Sequence, residues 1–273
     1  MRIRDGVPGW RVDRVAVEEP LELRVDGHSL TVTMRTPGDD FDLAVGFLLC
    51  EGVIDDAAQV REIRSCGDAE PNGHYNRLDV ILTAVAPGLA AGRERAFVTT
   101  SACGICGSAS IEAVTSRPHT DVTGDPLRLS PVLIASLPQR LGAHQRGFAA
   151  TGGLHAAALF DASGELVCIR EDVGRHNAFD KVVGWAATER RLPLRSHVIM
   201  ASGRASFELT QKALVAGIPC LVAVSAPSSL AVELARHAGM TLVGFVRGTT
   251  MNVYSGQERV SGYDATSSSA LDG

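Results

Sequence analysis

No apolar run in this chain approaches the ~20 residues needed to cross a bilayer, which excludes a spanning helix. The opening stretch, MRIRDGVPGWRVDRV, is charged and lacks the apolar centre of a secretory signal. Neither sign of charge dominates: 26 basic residues face 31 acidic ones, a net −5 that gives no general attraction to nucleic acid or a membrane surface. Any anion site must therefore be local. A second cysteine pair is missing, so a four-ligand structural zinc site lacks half its ligands. There is no His-x-Glu, and no proline precedes Cys103, so the signature of the zinc deaminases is incomplete. Internal repeats are absent. Cys50, Cys66, Cys168 and Cys220 stand singly in apolar or mixed runs, as small buried hydrophobes do. The expectation is a reduced, cytoplasmic, soluble protein, with no nucleic acid, no membrane and no tightly held metal of its own.

What is present begins with Ser101 to Gly107, SACGICG, where Cys103 and Cys106 stand three apart with a glycine after each. Glycine admits unusual backbone angles, so the two sulfurs can sit on an exposed, mobile loop. The preceding Phe97 to Thr100 reads as a short strand and Ser108 to Val114 as a short helix, whose N-terminus would help turn a thiol of ordinary pKa about 8.5 into the reactive thiolate. Half a zinc site, a disulfide redox pair, a carrier of sulfane sulfur as a persulfide, or two incidental cysteines in a turn all fit this pattern.

With 45% hydrophobic residues in 273, the chain can bury a full core without staples. Its pattern predicts an α/β chain, α+β overall, in two units. Residues 1–120 form a β-rich unit ending in the cysteine loop. It contains a hairpin around Asp26-Gly27, a helix capped by Asp39 or Asp40 and closed by Gly52, and strands 60–65 and 77–82 flanking a polar loop with a solvated His74. A polar stretch, 117–129, marks the boundary. Residues 121–273 form an α/β unit. A helix starts at Ser130-Pro131 with Leu133, Ile134, Leu137 and Leu141 on its apolar face, and Pro138 should bend or split it. A hairpin of 154–160 with 165–170 follows, then helix 176–190. Strands 197–201, 218–224 and 240–246 alternate with helices 206–216 and 228–238, which predicts a parallel sheet with right-handed crossovers. Only the tail, 265–273, has a disordered composition.

In such a sheet ligands bind beyond the carboxyl ends of the strands, where helix N-termini present unpaired donors. Ser202-Gly203-Arg204, the loop opening at Ser225, and Arg247-Gly248-Thr249-Thr250 occupy three successive strand ends and describe an anion pocket. Ahead of them lie Thr151-Gly152-Gly153 with His155, and Glu171 to Lys181, which packs seven functional groups into eleven residues. Asp172 or Asn177 could cap the helix there and Asp180-Lys181 could be a solvated face, while Arg175 and His176 point to a ligand site. Glu208 and Lys212, one turn apart, could be a surface pair. A relay that accepts sulfur on the cysteine loop and passes it to something anionic accounts for both halves of the chain.

These residues resemble the formate dehydrogenase accessory sulfurtransferases, the FdhD family. The resemblance runs from the hairpin at Leu21 to about Val260 and rests on SACGICG, FAATGGLHAAAL, EDVGRHNAFDKVVG, ASGRASFELTQKA and FVRGTTMNVYSG in the family's order. It implies a sulfur carrier that takes a persulfide from a cysteine desulfurase and delivers the sulfur to the molybdenum bis-guanine-dinucleotide cofactor used by formate dehydrogenase. Cys103 would carry the persulfide with Cys106 as its partner, and Phe245-Val246-Arg247-Gly248-Thr249-Thr250 matches the family's cofactor-binding segment. The resemblance also implies a homodimer and a cytidine deaminase-like fold for the second unit. A thiol-disulfide redox protein and a zinc-dependent deaminase-like hydrolase are the alternatives.

Overall fold

The computed structural model describes residues 1–67, 73, 75–84 and 120–262. His74, the strand at 97–100, both loop cysteines, the helix at 108–114 and the tail from 263 lie outside the described residues.

The chain begins with a short hairpin, β1 (Arg2–Arg4) and β2 (Val7–Gly9), that the sequence pattern did not signal. The hairpin expected around Asp26-Gly27 is present as β3 (Glu19–Val25) and β4 (His28–Arg35). Both turn residues have positive φ, 48° and 81°, the conformation that matches the twist of paired strands. Helix α1 (Asp40–Cys50) follows, then β5 (Val60–Ser65) and β6 (Arg77–Leu82). These strands make one sheet in the order β4-β3-β6-β5. The aspartate cap expected for α1 does not form: Asp39 is left-handed and makes no side-chain cap. Asp40 instead pairs at 2.9 Å with Arg35, a fully buried guanidinium that also reaches Glu19. Neutralising that buried cation outweighs a cap.

Helix α2 (Pro131–His144) starts as expected, with Ser130 Oγ accepting from Leu133 N. Pro138 does not split it, because burial of Ile134, Leu137 and Leu141 on both sides of the proline offsets the one backbone hydrogen bond it removes. After the short α3 (Arg146–Thr151) come β7 (His155–Asp161), β8 (Leu166–Asp172), α4 (Arg175–Thr188), β9 (His197–Ala201), α5 (Phe207–Val215), β10 (Cys220–Ala223), α6 (Ser229–His237), β11 (Thr241–Arg247) and β12 (Thr250–Ser255). They build a six-stranded sheet in the order β12-β11-β10-β9-β7-β8. Only β9, β10 and β11 are parallel; β7, β8 and the unanticipated β12 join antiparallel, so the sheet is mixed. Where a helix links two strands the pair is parallel, and where a tight turn does it is antiparallel.

Alternation divides the core. Ala156, Ala158, Phe160, Val198, Met200 and Val222 meet α2 on one face. Ala157, Leu159, Ile199, Ala201 and Leu221 face the other way, in a core that also takes in Leu43 and Leu48 of α1, Phe179 and Val183 of α4, and Leu21, Leu23 and Val80 of the first sheet. One continuous core thus joins the two sheets. Cys50, Cys168 and Cys220 are buried, as expected for isolated cysteines, and Cys66 is half-buried at the end of β5. Burial pushes the Cys220 thiol up to about 12 and that of Cys168 to about 11, which keeps both protonated. Arg259, also buried, donates to the carbonyls of Gly239 and Thr123 and closes the C-terminal end of the fold.

Candidate functional site at the sheet edge

Topology brings the sequence-selected residues to one edge of the larger sheet. β7 runs against β9, so its first residue, His155, lies at the same edge as the loop that follows β9. Ala156 N donates to Ser202 Oγ at 2.8 Å and Ser202 N to Ala156 O at 3.0 Å. His155 is paired across the ladder with Asp172 at the end of β8, and the Gly203 backbone lies against its imidazole.

The loops after β9, β10 and β11 are stitched side by side. Ser225 N donates to Gly203 O at 3.3 Å, Ala205 N to Ala226 O at 3.2 Å, and Phe245 N to Ser225 O at 3.2 Å. Ser206 caps α5 and Ser228 caps α6. With α4, three helix N-termini thus open at this edge, an arrangement that favours negative charge. Arg204 and Arg247 are exposed beside them and Arg175 is half-buried. Neighbouring strands lie about 4.8 Å apart, so β7 and β11, three strands distant, set His155 and Arg247 some 14 Å apart, room for a ligand with several phosphates.

Phe245 to Thr250 is two kinds of structure. Val246 packs its side chain into the core, at 1% exposure. Phe245 sits in a bulge with φ of 54° and an exposed ring. Such a strained non-glycine backbone persists only where its surroundings hold it. Arg247 and Thr250 face each other across the turn at Gly248 (φ 56°) and Thr249, with Thr250 Oγ1 donating to Arg247 O at 3.0 Å. Thr151-Gly152-Gly153 closes α3, with Gly152 at φ 70°, and leads into His155.

Three polar atoms in this region, Arg175 Nε, His176 Nε2 and Glu208 Oε1, are sealed from solvent and have no hydrogen-bond partner. His176 Nε2 comes within 2.7 Å of Glu208 Oε2 but is not aligned for a hydrogen bond. Leaving Arg175 Nε and Glu208 Oε1 unpaired costs about 1–3 kcal/mol each, which a ligand could recover. His155 titrates below its ordinary value, first because it is half-buried and then because Arg175 and His176 are near; Asp172 opposes the shift. Among the described residues no three His, Cys, Asp or Glu side chains are gathered to hold a metal ion.

The rest of the Glu171 to Lys181 run is structural, and neither a solvated face nor a helix cap. Asp172 Oδ2 pairs with Lys181 Nζ at 2.7 Å, both buried, and also accepts from Thr36 N. Asp172 Oδ1 accepts from Gly174 N and Asn177 Nδ2, and Asn177 Nδ2 also reaches Met34 O at 2.8 Å. These bonds fasten the end of β4 to the start of α4. Glu171 holds the amides of Gly147 and Phe148 at 2.8 Å, fixing α3. Asp180 is buried against Lys212 at 2.6 Å, and Lys212 lies 4.0 Å from Glu51. Glu208 and Lys212 are therefore not a surface pair: they point to different partners. Sequence reasoning did not give Glu208 a role in the site, although its place in the first turn of a helix starting at a strand end was a usable signal. The 202–206 loop, Arg175, His176, His155 and the Ser225 loop come together; Cys103 and Cys106 lie outside the described residues.

The chain matches the FdhD/NarQ family over residues 16–261. It is 56% identical over 265 residues to a protein of Streptomyces avermitilis named sulfur carrier protein FdhD, covering 95% of this chain and 93% of that one. Its counterpart of the same name in Mycobacterium tuberculosis is 52% identical over 258 residues, covering 92% of each. A crystal structure of a protein assigned as a formate dehydrogenase accessory protein from Desulfotalea psychrophila superposes with a TM-score of 0.72 at 27% identity, over 95% of this chain and 96% of that one.

Proposed function

Because this chain belongs to the FdhD/NarQ family, we propose that it is a sulfur carrier serving the maturation of a formate dehydrogenase. Its substrates are a persulfide on a cysteine desulfurase and, as acceptor, the molybdenum cofactor in its bis-guanine-dinucleotide form. The carrier works in a cytoplasm that keeps thiols reduced, and as a pair of identical chains. The six-stranded sheet is a deaminase-like scaffold used without zinc.

Cys103 thiolate attacks the outer sulfur of the desulfurase persulfide. That S–S bond breaks, the desulfurase cysteine leaves as thiolate, and Cys103-S-SH forms. Cys106 thiolate then attacks the Cys103 sulfur, giving a Cys103–Cys106 disulfide and releasing hydrosulfide to the acceptor. Two thiols are oxidised as one sulfane sulfur is reduced, and a cellular dithiol restores the pair.

The observation that carries the acceptor half of this reading is the pair of orphaned atoms, Arg175 Nε and Glu208 Oε1, at an edge lined by three helix N-termini. Pyrophosphates fit the N-termini with Arg175, Arg204 and Arg247, and the unpaired Glu208 oxygen fits a donor-bearing edge of the base. Thr151 to Gly153, His155, Ser202, Gly203, Ser225 and the Phe245 to Thr250 hairpin complete the lining. Cys103 precedes Thr120 by seventeen residues, a length that spans up to ~55 Å when extended, ample to bring sulfur to the edge.

The test is an intact mass of the protein after incubation with a desulfurase and cysteine, repeated on Cys103→Ala. A gain of one sulfur that the variant lacks supports the carrier step. A parent that gains none while the desulfurase itself is loaded returns the cysteine pair to thiol-disulfide exchange.

A further inference from the structure

Residues 1–15 are exposed without exception, yet they are not polar. Trp10 and Val12 are 90% and 93% exposed, and Ile3, Val7 and Val15 are bare as well. β1 and β2 form a two-stranded ribbon with no core beneath it, and such a ribbon is marginal in water by itself. Among the described residues the arm is fastened at its base, where Val17 O accepts from Thr36 Oγ1 at 3.0 Å and Ala16 lies against Gly153. The family match begins at this base, at residue 16.

At the far end of α4 lies a groove of about 730 Å³ with an apolar floor that includes Phe41, Val45, Ile63 and Leu192. Its rim carries Asp55 and Asp56 against the single cation Arg190; Asp42 also borders it but is held by Arg170 at 2.8 Å. The arm has the opposite balance, with Arg2, Arg4, Arg11 and Arg14 against Asp5 and Asp13. Arm and groove stand at opposite ends of α4: Thr36, which anchors the arm, accepts from Val173 N just before the helix, and the groove takes in Ala187 and Thr188 at its last turn with Arg190 and Leu192 beyond. A helix of fourteen residues is about 20 Å long. A twofold axis perpendicular to α4 reverses that order, so the arm of one copy and the groove of the other then lie toward the same end.

We infer that the groove between α1, β5 and the end of α4 receives the N-terminal arm of a second copy of this chain, with Trp10 as the anchor. The contact is isologous and closed, which limits assembly to a pair. It rests on the pairing of two copies proposed above and is independent of the sulfur chemistry.

Sedimentation velocity over a concentration series tests it on the full chain, on Trp10→Ser, on Phe41→Arg and on the double variant. Both positions are exposed, so circular dichroism should match the parent. The parent should sediment as a dimer at micromolar concentration. Each single change should raise the dissociation constant at least about tenfold, and the double change little further, because both break one contact. A monomeric parent overturns the arm contact together with the pairing. A dimer untouched by Trp10→Ser, or single effects that simply add, overturns the arm contact and leaves the pairing standing.

Discussion

Gly46 and Gly184 meet backbone to backbone where α1 crosses α4. A β-carbon on Gly46 would stand 1.9 Å from Asp180 O, and one on Gly184 would stand 1.8 Å from Asp42 O. No side chain could move aside, since the obstacle is main chain. This crossing sets the first sheet against α4, the helix whose N-terminus carries Arg175 and His176.

Gly46→Ala or Gly184→Ala should destabilise the fold by about 3 kcal/mol or more, at the upper end of overpacking. Gly142, also helical but with open space around it, is the control: Gly142→Ala should be neutral or stabilise by up to about 1 kcal/mol. Urea midpoints of the three variants decide. Equal midpoints for Gly46→Ala and the parent would mean that the helices can separate at no cost.

Lys181→Met leaves the Asp172 carboxylate buried with its amide donors but no cation. A loss of about 3–5 kcal/mol is expected. Adding Asp172→Asn should recover much of it, because the uncompensated charge is then gone. Failure of the double variant to recover would show that Lys181 acts through its bond to Thr36 O and not through the ion pair.

His155 makes stability depend on pH. Burial, followed by Arg175 and His176, holds its folded value below the unfolded value of about 6.5. As pH falls through the unfolded value, the unfolded chain takes up a proton that the folded chain refuses, so stability declines, and the decline levels off below the folded value. Between pH 7.5 and 5.5 the parent should lose more stability than His155→Gln. Parallel urea curves for the two proteins would remove the effect.

Arg175→Ala and Arg247→Ala should each weaken binding of GDP, used as a fragment of the cofactor, by roughly tenfold to a hundredfold, the worth of one charge-assisted contact. Sulfur loading should be unchanged in both. Calorimetry reads the first and intact mass the second. Variants that bind GDP as the parent does would move the anion site away from this edge.

Local physics made much of the fold legible. Asp26-Gly27 demanded a tight turn, Ser130-Pro131 announced a helix start, and strands 60–65, 77–82 and 197–201 fall at the bounds the sequence pattern gives them. The loops after β9 and β10 were legible as a candidate site for the same reason: small and hydroxyl residues at a strand-to-helix junction leave the helix N-terminus open to an anion. Topology then carried these separate loops, with His155, to one edge.

The hairpin at Asp26-Gly27, the Ser130 cap and the strands at 60–65, 77–82 and 197–201 follow from neighbours within a few residues, and the amino-acid sequence alone determined them. Tertiary structure decided which charges are buried. Asp180, Lys181 and Lys212 look like a wet helix face because nothing local marks them otherwise; their partners lie on other elements, and removing a charge from water is tolerable only where a distant opposite charge meets it. It likewise decided that Pro138 stays inside a helix, that β12 pairs with β11, and that His176 comes to Glu208, since each depends on what the rest of the chain packs against it.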